Sequence, residues 1–197
     1  MYDADINRTK VATSLFWKML ERICAQGIGF LVQIILARIL LPEDFGSLAI
    51  VVAITGYALI FVSSGITTTI VQKKELDIKD LSTLMTYTLL TGVFFYVILY
   101  FLSPLIATYY DAPILKSALR VFALSILLQG INSVQTGILQ RKMLFKKLFI
   151  RTLIASPIAG FIGIALALGG AGVWALVFYN LTNILAVIII MSFDNCY

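Results

Sequence analysis

The sequence contains no histidine, and charged residues make up only 13% of its 197 positions. Without histidine there is no imidazole base, no imidazole metal ligand and no side chain poised to titrate near neutrality. The two cysteines, Cys24 and Cys196, are far apart and lack metal-ligand spacing, so they point to no metal and to no redox compartment. Of the ten acids, all but Glu21 and Asp194 lie in the N-terminal tail or between apolar runs. The pairs Glu43-Asp44 and Asp77-Asp80 read as solvated carboxylates, with Asp44 and Asp80 standing where a carboxylate favours a helix N-terminus. No glycine-rich phosphate loop follows a strand. These absences leave little for catalysis, and no cofactor or metal is expected.

What the chain has is apolar length. Hydrophobic residues make up 60% of it, and the mean hydropathy is +0.99. A bilayer core of about 30 Å takes about 20 apolar residues per helix, so the content suffices for about six crossings. A soluble domain could not hide that much apolar surface. The reading is an all-α polytopic membrane protein, with no strand alternation to compete. Breaks in the runs place spans at about 14–38, 45–67, 81–102, 115–139, 149–168 and 172–191. Prolines mark the break at Leu41-Pro42 and the stop at Ser103-Pro104, since proline disfavours helix in the residue before it. The first run is too long for a cleavable signal peptide and lacks a small-residue cleavage site.

The net charge of +5 does not indicate nucleic acid, because the cations sit in short loops, where they set topology. Twelve of the 15 Lys and Arg residues, Arg151 among them, fall on one side of the six spans; Arg38, Lys116 and Arg120 fall on the other. That bias expects both termini in the cytoplasm.

Two spans carry polar seams. Ser14, Lys18, Arg22, Gln26, Gly29 and Gln33 share one helical arc of about 120° in span one, with Glu21 beside it. Charge at the bilayer centre costs about 2.5–3.5 kcal/mol, so the stripe should face other helices or water. Lys18 and Arg22 either line a cationic cavity or snorkel to the interface with Glu21 as partner. Gln26 and Gln33 lie too deep to snorkel and read as cavity lining. In span four, Ser125, Gln129, Asn132, Ser133, Thr136 and Gln140 form a second arc, suited either to a hydroxyl-rich ligand or to helix–helix hydrogen bonds. Ser156, Gly160, Gly163 and Ala167 of span five make a small-residue packing face, and Pro157 is expected to kink that helix. Trp174 and Tyr179 read as interfacial anchors.

Arg38 either contacts a ligand at the outer mouth or caps span one, and Glu43 belongs to the tight turn after it. Arg141, Lys142, Lys146 and Lys147 form a cytoplasmic basic loop that enforces topology or meets anionic lipid.

Three strings carry a resemblance: Leu36-Ala37-Arg38-Ile39-Leu40-Leu41-Pro42-Glu43-Asp44-Phe45-Gly46, Leu139 to Lys147, and Gly169-Gly170-Ala171-Gly172-Val173-Trp174-Ala175-Leu176-Val177. In order and spacing they resemble the N-terminal part of a Wzx-type flippase for lipid-linked oligosaccharides. That family lies in the multidrug/oligosaccharidyl-lipid/polysaccharide exporter superfamily, and the likeness is nearest its colanic-acid/teichuronic-acid exporter branch. The resemblance implies a bacterial inner-membrane transporter of undecaprenyl-diphosphate-linked repeat units for O-antigen, capsule or exopolysaccharide. It implies alternating access between two six-helix lobes, with Lys18 and Arg22 meeting the diphosphate and the amides of spans one and four meeting sugars. Residues 1–191 then form the first lobe, and residues 192–197 a short tail unlike the family, as in a truncated chain. The expected partners are the lipid-linked oligosaccharide, membrane lipid and a missing second six-helix half. The rival readings are a drug/cation antiporter using Glu21, a polysaccharide polymerase or ligase, and an assembly subunit; the short outer loops disfavour the enzyme.

Overall fold

A computed structural model describes residues 8–63, 66–72 and 78–194, and helices joined by short turns account for them. The helices are α1 (Arg8–Ile39), α2 (Pro42–Ser63), α3 (Ile66–Gln72), α4 (Ile78–Tyr109), α5 (Ile114–Phe122), α6 (Leu124–Arg141), α7 (Phe145–Leu168) and α8 (Val173–Asp194). Six stretches are long and apolar enough to cross a membrane: Leu15–Ile39, Pro42–Gln72, Lys79–Tyr109, Ile114–Arg141, Phe145–Leu168 and Val173–Ser192. The expected span number therefore holds. Lys73, Lys74, Asp77 and Cys196 lie outside the described residues.

Helix ends follow local chemistry. Pro42 opens α2, where its missing N–H costs nothing. The Leu41 N–H donates back to the Asp44 carboxylate at 3.3 Å, an arrangement that closes the first turn. The span-three boundary expected at Ser103-Pro104 is not the helix end, because α4 runs through Pro104 to Tyr109. Proline removes the N–H that would reach the Tyr100 carbonyl. The Ser103 hydroxyl donates to that carbonyl instead, at 2.8 Å, and so allows the helix to continue. Span four is tightened at Ala123, between α5 and α6, where the Ile126 N–H reaches the Ala123 carbonyl three residues back.

The spans pack around two hubs. α7 lies against α1 and α8, while α6 touches α2, α3, α4 and α8. The small-residue face of α7 performs the packing expected of it. Ser156, Gly160, Gly163 and Ala167 are all buried. A Cβ at Gly160 would come within 2.7 Å of Val32 Cγ2 on α1, so only glycine allows this approach. Tyr179 does not anchor at an interface: it is buried against Gly163 and contributes to the core with Val32, Leu36 and Leu176. Trp174 is half-buried and packs beside Phe178.

Two of the sequence strings meet in space. Leu36 and Leu40 join Ala167, Ala175 and Leu176 in one buried cluster, with Phe45 packed against it. Gly172 has a φ of +53°, and a Cβ there would sit 3.1 Å from the Asp44 carboxylate. The glycine thus supplies both a left-handed turn and room for the acid that closes the start of α2.

Candidate functional site

An open cleft of about 370 Å³ lies between the second and fourth spans. Leu59, Ser63 and Thr67 line one wall, and Gln129, Asn132, Ser133 and Thr136 the other. The helical repeat of α6 puts its four polar residues on one face, as the spacing implies. Three hydroxyl protons turn back into the backbone. Ser63 donates to the Leu59 carbonyl at 2.6 Å, Ser133 to Gly130 at 2.7 Å and Thr67 to Ser133 at 3.3 Å. Their oxygens therefore face the cleft as acceptors.

The amides are ordered by a longer chain. Arg151 Nη2 donates to Thr136 Oγ1 at 2.9 Å, and Thr136 Oγ1 donates to Asn132 Oδ1 at 3.4 Å. Asn132 Nδ2 then donates to Gln129 Oε1 at 3.0 Å. Arg151 is only 7% exposed. Its Nη1 also donates to Met191 Sδ on α8 at 3.2 Å, and Glu21 on α1 lies within electrostatic reach. One guanidinium on α7 thus joins α1, α6 and α8.

Arg151 is the residue whose role reasoning from the sequence misses, counting it with the cations of one side and giving it no part in a site, although the expected span 149–168 contains it. It lies six residues into α7, not in a loop. The signal was present: Phe149-Ile150 precede it and Leu153-Ile154 follow it, so it interrupts an apolar run.

The structure brings Gln129 and Asn132 together but does not bring the span-one stripe to them. Lys18, Arg22, Gln26 and Gln33 are exposed, although Val32 and Leu36, which fall within about 40° of Lys18 around the helix, pack inward. Lys18 Nζ stands 5.5 Å from the centre of the Phe145 ring, and Lys146 Nζ 5.7 Å from that of Trp17. These contacts put Lys18 level with the first residue of α7, at the end of the helix pair.

Arg38 and Glu43 are both exposed, in the last turn of α1 and the first turn of α2. In the basic loop, Lys142, Lys146 and Lys147 are exposed. Arg141 is half-buried and donates to the Ile70 carbonyl at 3.0 Å, which pins the end of α3 to α6. Among the described residues no group of His, Cys, Asp or Glu is arranged to hold a metal ion.

Residues 35–195 match a family described as polysaccharide biosynthesis protein. The chain belongs to this family. It is a multi-pass member, with six helices able to cross a membrane, and its likeness to Wzx-type polysaccharide exporters extends beyond the three strings. It is 28% identical over 171 residues to the succinoglycan biosynthesis transport protein ExoT of Rhizobium meliloti (strain 1021), covering 87% of this chain and 35% of that protein. It is 26% identical over 155 residues to the lipopolysaccharide biosynthesis protein WzxC of Escherichia coli (strain K12), covering 78% of this chain and 31% of that protein. An uncharacterized membrane protein in the cps region of Klebsiella pneumoniae is 27% identical over 138 residues, covering 70% of this chain and 28% of its own. The chain thus spans about a third of the length of the curated relatives it matches. No solved structure matches it at a significant level.

Proposed function

We propose that this polysaccharide biosynthesis protein is the N-terminal lobe of a flippase. In this reading it moves undecaprenyl-diphosphate-linked oligosaccharide repeat units across the bacterial inner membrane. The observation that carries the reading is the cleft between spans two and four. Its hydroxyl and amide lining matches the hydroxyls of a sugar and offers no carboxylate, thiol or base for a reaction. Transport without chemistry is therefore favoured over a polymerase or ligase. The names of the relatives from Rhizobium meliloti and Escherichia coli support polysaccharide traffic.

The partners in this reading are the lipid-linked oligosaccharide, the surrounding lipid and a second six-helix half supplied in cis or in trans. The exposed stripe of Lys18, Arg22, Gln26 and Gln33 is assigned to the surface that half would face, with the two cations available to a diphosphate. The twelve-to-three distribution of Lys and Arg supports cytoplasmic termini. The drug/cation antiporter needs a carboxylate free to take a cation. Glu21, the candidate acid, does not line the cleft, which counts against it.

The test is surface-polymer export in a bacterium whose own exporter is deleted, with this lobe joined to the second half of a full-length relative. Gln129→Ala/Asn132→Ala is expected to reduce export at least tenfold at equal membrane level. Undiminished export would reject the cleft as the sugar site.

A further inference from the structure

We propose that Arg151 is a positioning residue that fixes the direction of the amide chain in the cleft, and that the cleft thereby selects glycans bearing an acceptor substituent, a carboxylate or an acyl carbonyl. This rests on the reading of the cleft as a sugar site.

The argument starts from what a guanidinium can do. It donates and never accepts, and it stays protonated at any physiological pH. Arg151 Nη2, 2.9 Å from Thr136 Oγ1, therefore makes that oxygen an acceptor and turns the Thr136 proton outward. The proton meets Asn132 at 3.4 Å, and the group facing it is the amide oxygen. Asn132 then presents its NH2 to Gln129, which answers with its own oxygen at 3.0 Å. The chain ends on the Gln129 NH2 and the second proton of Asn132 Nδ2, both on cleft-lining residues.

The rest of the lining has the opposite polarity. The Ser63, Thr67 and Ser133 hydroxyls donate to backbone carbonyls and present lone pairs. A plain sugar hydroxyl can meet either set, giving its proton to those oxygens or its lone pairs to the amides, whereas a carboxylate or acyl oxygen only accepts and so matches the amide end alone. A carboxylate is the strongest acceptor a glycan carries, because hydrogen bonds to charged groups are about twice as strong as neutral ones, and an acyl carbonyl is a neutral acceptor with no proton of its own to place. Arg151 itself is 7% exposed and does not line the cleft, so it acts through Thr136.

The experiment uses the 197-residue chain in lipid nanodiscs and saturation-transfer NMR with three probes: cellobiose, diacetylchitobiose and cellobiouronic acid. The native chain is expected to bind the two substituted probes about tenfold more tightly than cellobiose. Arg151→Gln, whose amide can donate or accept, is expected to bring that preference below about twofold. Thr136→Val, which keeps the guanidinium and cuts the next link, is expected to do the same. Arg151→Lys and Thr136→Ser restore a donor and a hydroxyl, and are expected to keep the preference. Thermal melting of each variant reports folding separately, so loss of preference in a folded Thr136→Val chain cannot be structural collapse. An unchanged preference in folded Arg151→Gln and Thr136→Val chains overturns the inference and leaves the sugar site standing. Failure of the native chain to bind any probe overturns the sugar site, and the inference with it.

Discussion

Gly160→Ala tests the packing of α1 on α7 in a way that can be worked through beforehand. The added Cβ would sit 2.7 Å from Val32 Cγ2, with two further Val32 carbons within 3.9 Å. Two carbons are comfortable at about 3.5–4.0 Å, so the methyl needs about 1 Å that a buried valine cannot easily give. Overpacking of this kind costs about 1–3 kcal/mol, against which a helical glycine-to-alanine change returns about 0.5–1 kcal/mol. The single variant should therefore be destabilised by about 1–2 kcal/mol. Val32→Ala alone should lose about 1 kcal/mol of packing, since association of helices in lipid rests on van der Waals contact. In the double variant the clash is gone, and its stability should be near that of Val32→Ala with the helix gain added. The coupling energy is then favourable by about 1–3 kcal/mol. Unfolding of the four chains in mixed micelles by added SDS measures it. Additivity within about 0.5 kcal/mol would refute the close approach.

Other outcomes follow from single contacts. Ser103→Ala leaves the Tyr100 carbonyl without a donor and takes the acceptor from Arg120 Nε, 2.9 Å away; thermal melting should show a loss of about 1–3 kcal/mol, smaller when Pro104→Ala restores the N–H. Arg141→Met strands the Ile70 carbonyl and should cost about 1–2 kcal/mol, with faster amide exchange confined to α3 and its neighbours on α6. Glu21→Gln removes the carboxylate facing Arg151 and should lower the melting temperature, whereas adding Arg151→Met should recover part of that loss, because a stranded buried charge costs more than an absent pair. Reporter fusions should place Asp111 outside the cytoplasm and Met143 inside; the reverse would reject the proposed orientation.

The spans were legible because apolar length is a one-dimensional property. The small face of α7 was legible because small residues at helical spacing have few other uses in a membrane. The course of α4 was not. Proline reads as a stop, and nothing in a string shows that the neighbouring Ser103 hydroxyl will take up the carbonyl that Pro104 leaves. The span-one stripe was legible as a stripe, but its surroundings were not. Periodicity puts Val32 and Leu36 within about 40° of Lys18, yet both are buried while Lys18, Arg22, Gln26 and Gln33 are exposed, a split that only the packing of the neighbouring helices sets. For Gln129 and Asn132 the spacing and the packing agree, because α6 is the helix that most others touch.

Arg151 shows why counting cations and locating them are different operations. The count by sides treats each Lys and Arg as equivalent, which suffices for orientation, since moving one residue of fifteen leaves a bias intact. A site depends on what each cation touches. An arginine inside an apolar run is costly unless its donors are met. Here Thr136 and Met191 meet two of them and Glu21 answers the charge, while the Nε–H stays buried with no partner among the described residues. The three come from three other spans, so the placement is paid for only when the helices have assembled. The same guanidinium that would be a liability in an isolated α7 becomes a condition on how α1, α6 and α8 gather around it. That makes its link to the cleft a consequence of assembly: wherever α7 docks correctly, Thr136 is oriented, and the amides beyond it are oriented in turn.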